Sequence, residues 1–95
     1  MSGDYALIGA TGAYNELSDN NSAGVAYIFR RIDGFWTFHQ KIAEPEVDLF
    51  DDFGFAVDIG SDYAIIGSPN YGSGGGAFVY KKNGDEWQRL SLIHI

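Results

Sequence analysis

Glu44, Glu46, Asp48, Asp51 and Asp52 place five carboxylates within nine residues. Carboxylates this close repel one another unless solvent screens them or a cation bridges them, and hard oxygen donors suit Ca²⁺. A second oxygen-rich stretch, Asn15, Glu16, Asp19, Asn20 and Asn21, carries the same chemistry. The candidate calcium ligands are Asp19, Asn21, Asp48, Asp51 and Asp52, with the two stretches holding an ion jointly. Neither stretch has the Asp-x-Asp-x-Asp-Gly spacing of a dedicated calcium loop. Asn and Asp also serve turns through side-chain bonds to the backbone. A solvated connector and a plain loop are therefore the simpler expectation, and calorimetric titration with calcium separates the two.

No catalytic centre assembles from the remaining reactive residues. His39 has no nucleophile or acid partner at a motif spacing. Asp51 and Asp52 are adjacent, and adjacent side chains on an extended chain point apart, which spoils an acid–base pair. Gly74-Gly75-Gly76 lacks the Lys-Ser or Lys-Thr pair that completes a phosphate loop. With no Cys there is no thiolate zinc site, cysteine nucleophile or disulfide framework. The expectation is a protein that is not an enzyme.

Net charge is −7, from 6 basic and 13 acidic residues. That balance argues against nucleic acid, whose phosphates need clustered Lys and Arg. It also opposes an anionic membrane surface, and no apolar run approaches the roughly 18 residues of a membrane span.

The elements that must position these residues come from an internal repeat. Asp4-Tyr5-Ala6-Leu7-Ile8-Gly9-Ala10 returns as Asp62-Tyr63-Ala64-Ile65-Ile66-Gly67-Ser68, 58 residues on. Ala26-Tyr27-Ile28-Phe29-Arg30-Arg31 returns as Ala77-Phe78-Val79-Tyr80-Lys81-Lys82, and Trp36 as Trp87, both 51 residues on. The difference of seven is a longer loop after the first strand of the first copy. Each segment is short, apolar and bounded by turn residues, so the repeat unit is built of strands. Asp33-Gly34 and Asn83-Gly84 are hairpin turns.

Seven strands are expected, over 4–9, 24–31, 35–42, 53–59, 62–67, 76–82 and 86–93, joined as antiparallel meanders. Tyr5 to Ile8 and Tyr63 to Ile66 are apolar on both faces and call for cover on both sides. Phe53, Phe55, Val57 and Ile59 are expected to share one face. In the third strand, Trp36, Phe38, Gln40 and Ile42 are expected on one face and Phe35, Thr37, His39 and Lys41 on the other. A small inner strand, a doubly buried middle and a wetter rim describe a four-stranded propeller blade.

Antiparallel order sends the connections 10–23, 43–52 and 68–75 to one end of the sheets and the tight turns 32–34, 60–62 and 83–85 to the other. Long polar loops on a rigid scaffold are where binding usually sits. The candidate ligand-facing residues are Tyr14, Asn15, Glu16, Asn20, Asn70 and Tyr71. Tyr14 and Tyr71 suit stacking on a sugar or gripping a protein partner, and equally suit packing against a neighbouring sheet.

Phe53-Gly54, then Ile66-Gly67-Ser68-Pro69, then Gly75-Gly76-Ala77-Phe78-Val79-Tyr80 and Trp87 resemble the FG-GAP repeat of integrin α-chain propellers and their bacterial relatives. The first copy supplies Ile8-Gly9-Ala10, Ala26-Tyr27-Ile28-Phe29 and Trp36 but no Phe-Gly strand. The resemblance implies an all-β fold of antiparallel four-stranded blades, about two of a propeller of about seven. It implies an extracellular or cell-surface module for adhesion or ligand binding, with a protein or carbohydrate partner and neighbouring blades on either side. The alternative is a structural propeller segment of a larger protein whose activity lies elsewhere. Many members carry a calcium loop between the first two strands of a blade. Here Gly60-Ser61-Asp62 occupies that slot, and three residues cannot wrap a cation that takes 6–8 oxygen ligands.

On this reading residues 1–42 are a blade lacking its first strand, 43–52 a connector and 53–93 a second blade. Met1 aligns with Ile59, so the sequence opens in mid-blade and Met1 is expected to be internal. Leu90-Ser91-Leu92-Ile93-His94-Ile95 resembles the translation of a transposon adapter used in sequencing libraries, and native sequence is expected to end near Arg89 or Leu90. Read instead as a strand, this stretch aligns Ile93 with Ile42. Two blades alone expose faces meant for neighbours, so the isolated chain is expected to oligomerise, aggregate or stay loosely ordered.

Overall fold

The computed structural model describes residues 4–15, 23–47, 50–72 and 74–94. They form seven strands: β1 (Tyr5–Ala10), β2 (Val25–Ile32), β3 (Phe35–Ile42), β4 (Ala56–Ile59), β5 (Tyr63–Ser68), β6 (Gly76–Asn83) and β7 (Glu86–His94). Two antiparallel meander sheets result, ordered β1-β2-β3 and β4-β5-β6-β7. All seven expected strands are present. No helix among the described residues is long and apolar enough to cross a membrane.

The sheets stack face to face. Tyr5, Leu7, Ala26, Ile28 and Ile42 of the first meet Ile59, Ala64, Ile66, Phe78, Tyr80 and Trp87 of the second in one core. The sequence repeat has a structural counterpart in the ladders. Register shifts at Ile28/Phe29 against β3 and again at Val79/Tyr80 against β7, positions 51 residues apart. The extra residues are His39 and Leu90. A bulge kept at the same place in both sheets is a designed bend of the outer strand.

Three expectations need correction. The 53–59 strand begins only at Ala56. Before it the chain turns: Asp52 has φ 60° and Gly54 φ 96°, and the Phe55 N–H bonds the Asp52 carbonyl at 3.0 Å. This breaks the period of two, so Phe53 is 0% exposed and Phe55 69%. Second, the bulge at His39 divides the expected face of β3. Trp36 and Phe38 pair with Arg31 and Phe29 on the outer face, whereas Gln40 and Ile42 pair with Ile28 and Ala26 on the core face. Third, each inner hairpin is covered on one face only. Ile8 is 50% exposed on the first sheet, and Tyr63 and Ile65 are exposed on the second.

The two sheets are also joined through backbone. The Phe53 N–H donates to the Ala23 carbonyl at 3.3 Å. The Phe53 ring enters the core edge-on to Phe78, with centroids 5.1 Å apart. Gly9 and Gly54 touch so closely that a Cβ on Gly9 would collide with the Gly54 carbonyl. The close approach explains why the inner strand needs a glycine there.

Candidate functional site

The long connections gather at one end as antiparallel order requires, and hydrogen bonds tie them together. The buried Asn15 amide donates to the carbonyls of Glu44 at 3.0 Å and Gly24 at 3.4 Å. Ser68 Oγ donates to the Asp51 carbonyl at 2.7 Å. The Asn70 amide donates to the Phe50 carbonyl at 3.2 Å and to Asp52 Oδ2 at 2.9 Å. Asn15 and Asn70, expected to face a ligand, thus hold neighbouring loops; Asn15 is 0% exposed and has no surface to offer.

Of the two loop tyrosines, Tyr71 is half-buried with its ring 5.5 Å from Phe78 and 5.8 Å from His94. Tyr14 is exposed. Glu16, Asp19, Asn20, Asn21 and Asp48 lie outside the described residues.

The acidic connector divides between two environments. Glu44 is buried between the sheets, where Tyr80 Oη donates to its Oε2 and Arg89 Nη1 to its Oε1 at 3.0 Å. Arg89 also bonds Glu46. Burial raises the Glu44 carboxyl above the ordinary glutamate range, against the downward pull of Tyr80 and Arg89. For Glu46 burial acts upward too, but the Arg89 hydrogen bond prevails and holds it below. Burial, then the bond to Glu44, push the Tyr80 phenol far up, so it stays a donor. Among the described residues no group of three or more His, Cys, Asp or Glu is arranged to hold a metal ion. The Gly60-Ser61-Asp62 slot is a tight turn closed by the Gly60 N–H on the Tyr63 carbonyl at 2.7 Å.

Two aromatic residues missed in the sequence stand out here. Phe50 and Phe55 are exposed on the segment that leads into β4. Phe50 also holds φ 66°, a conformation that disfavours bulky side chains and marks sites where surroundings enforce strain. No periodic signal could have found it, since it sits in an irregular acidic loop.

At the opposite end His39 is part of the packing. Its Nε2 bonds the Asp85 carbonyl and its ring meets Tyr5 edge-on at 5.6 Å. Arg30 pairs with Asp85 at 3.5 Å and Arg31 with Asp4 at 3.2 Å.

Two meander sheets that repeat one strand pattern and one bulge, and that pack face to face in one core, define a stacked all-β repeat protein. Residues 36–80 match the family model of the FG-GAP repeat. The matched stretch runs from the outer strand of one sheet through the Phe53-Gly54 junction into β6, so the sequence unit spans the join between sheets. FG-GAP repeats form β-propeller-type modules that are in general non-catalytic, and they typically occur in extracellular proteins. No curated protein and no solved structure matched the chain.

Proposed function

We propose that this chain is part of a non-enzymatic binding or adhesion module on a secreted or cell-surface β-propeller, its two sheets being consecutive blades. Its contact surface is the long-loop end, and the exposed aromatics Tyr14 and Phe50 carried there are the observation that supports it. Rigid aromatic side chains on anchored loops serve as anchors for protein or sugar partners. Immobilised glycans and extracellular-matrix proteins are the probes. Tyr14→Ala and Phe50→Ala are expected to weaken any retained interaction about tenfold or more, since such anchors contribute about 1.4 kcal/mol or above. Binding that survives both substitutions unchanged would move the site elsewhere.

A second reading has its own support. Asn15, Ser68, Asn70 and Glu44 spend their polar groups within the chain, which suits a structural propeller segment serving a larger protein. Absence of binding to every probe by a folded chain would favour it.

A further inference from the structure

The uncovered faces of the two sheets are related to each other through the repeat. Tyr5, Leu7 and Ile42 are buried against the second sheet, and their counterparts Tyr63, Ile65 and Ile93 are exposed on its far side. In the other direction Ile66, Tyr80 and Trp87 are buried against the first sheet. Their counterparts Ile8, Phe29 and Trp36 lie on the far side of that sheet, where with Ala6 they line a shallow apolar groove. Each uncovered face therefore repeats the half that the chain already packs against the other.

The charged rim repeats as well. Tyr5 lies under Arg30 of its own sheet at 5.7 Å and Lys82 of the facing sheet at 5.3 Å, with the Trp87 ring edge-on at 5.5 Å. Exposed Tyr63 has its own-sheet cation, Lys81, at 5.9 Å. The facing cation and indole it would need are Arg31 and Trp36, counterparts of Lys82 and Trp87. They already stand together on the uncovered face of the first sheet, 5.6 Å apart.

We propose that these two faces are the halves of one heterologous contact, through which copies of this chain stack head to tail. A second copy supplies every partner named above and no residue from elsewhere is needed. Such a contact repeats until the rotation closes a ring or grows as a filament. It is weaker than the internal contact, because Ser91 stands where Gln40 does and no Phe53 plug lies between copies.

Sedimentation of the 95-residue chain over a series reaching about 100 μM tests this, a range that populates a micromolar contact. Average mass is expected to rise with concentration. Ile8→Asp and Ile65→Asp should each be monomeric alone, and an equal mixture of the two should give heterodimers and nothing larger. A wild-type chain monomeric throughout, either variant still dimerising alone, or a mixture that does not associate would each overturn the proposal. Near-UV dichroism checks that the variants fold. Should either unfold, Trp36→Cys combined with Tyr63→Cys serves instead, in a chain that has no other cysteine. Mild oxidation should give a ladder of disulfide-linked chains, and a folded variant that stays uncross-linked rejects the contact.

Discussion

Gln40 binds the backbone of Trp87 from both sides of its side-chain amide: Nε2 donates to the Trp87 carbonyl at 2.8 Å, and Oε1 accepts from the Trp87 N–H at 2.9 Å. One side chain thereby takes the place of a strand partner and fixes the outer strand of one sheet to that of the next. Trp87 is buried with its indole Nε1 lacking a partner among the described residues. Its position thus rests on packing against Tyr5 and on the backbone grip of Gln40.

Gln40→Ala is expected to destabilise the chain by about 1–3 kcal/mol, since both backbone groups lose their partner at a half-buried site. Gln40→Glu keeps the acceptor but removes the donor and sets a negative charge against the Trp87 carbonyl, so it should recover little. Urea unfolding followed by tryptophan emission measures both. Equal stability of Gln40→Ala and wild type would show that water replaces the grip.

Phe53 and Phe55 separate packing from exposure within three residues. Phe53→Ala removes the ring that joins the sheets and should cost about 3–5 kcal/mol. Phe55→Ala, at an exposed turn, should change stability by less than about 0.5 kcal/mol. Similar losses for the two would mean that the segment runs as an ordinary strand with both rings packed.

That pair also marks where reading the sequence succeeds and where it stops. Phe53-Gly54 was legible as a motif, and the seven strands followed from apolar runs punctuated by Gly, Asn and Asp. Strand grammar assumes a period of two, however, and the backbone turn at Asp52 and Gly54 was invisible to it. The His39 bulge escaped for the same reason, although it moved Gln40 to the face where it meets Trp87. The candidate site was less legible still. Asn15 reads as an exposed loop residue by type, but only tertiary packing shows that it is buried beneath Glu44.

Gly9 and Gly67 occupy the same position of the repeat but not the same surroundings. A Cβ on Gly9 would run into the Gly54 backbone, whereas one on Gly67 would rest 3.4 Å from the Ala56 carbonyl oxygen. Gly9→Ala should therefore destabilise strongly, by about 2 kcal/mol or more through overpacking, and Gly67→Ala only slightly. Thermal melts of the two variants compare them directly. Indifference to Gly9→Ala would mean that the two sheets do not meet at this point.

Glu44 ties stability to pH. Its carboxyl sits above the ordinary glutamate range because burial outweighs Tyr80 and Arg89. The folded chain therefore holds this proton more tightly than the unfolded chain does. Stability contributed by such a group falls as pH rises through the window between its unfolded and raised folded values. Glu46, lowered by Arg89, works in the opposite sense: its contribution is present above the ordinary range and is lost as pH falls through the lowered value. Glu44→Gln mimics the protonated acid and still offers Tyr80 an acceptor, so it should be tolerated and should remove the Glu44 slope. Its advantage over wild type is expected to grow as pH rises above the usual glutamate range. Glu44→Ala instead leaves the buried Tyr80 hydroxyl without this acceptor and should cost about 1–3 kcal/mol at any pH. Urea midpoints measured across the acidic to neutral range decide the point. Parallel curves for wild type and Glu44→Gln would show that folding leaves the affinity of this carboxyl for its proton unchanged, and an advantage of Glu44→Gln that shrinks as pH rises would show Arg89 prevailing over burial.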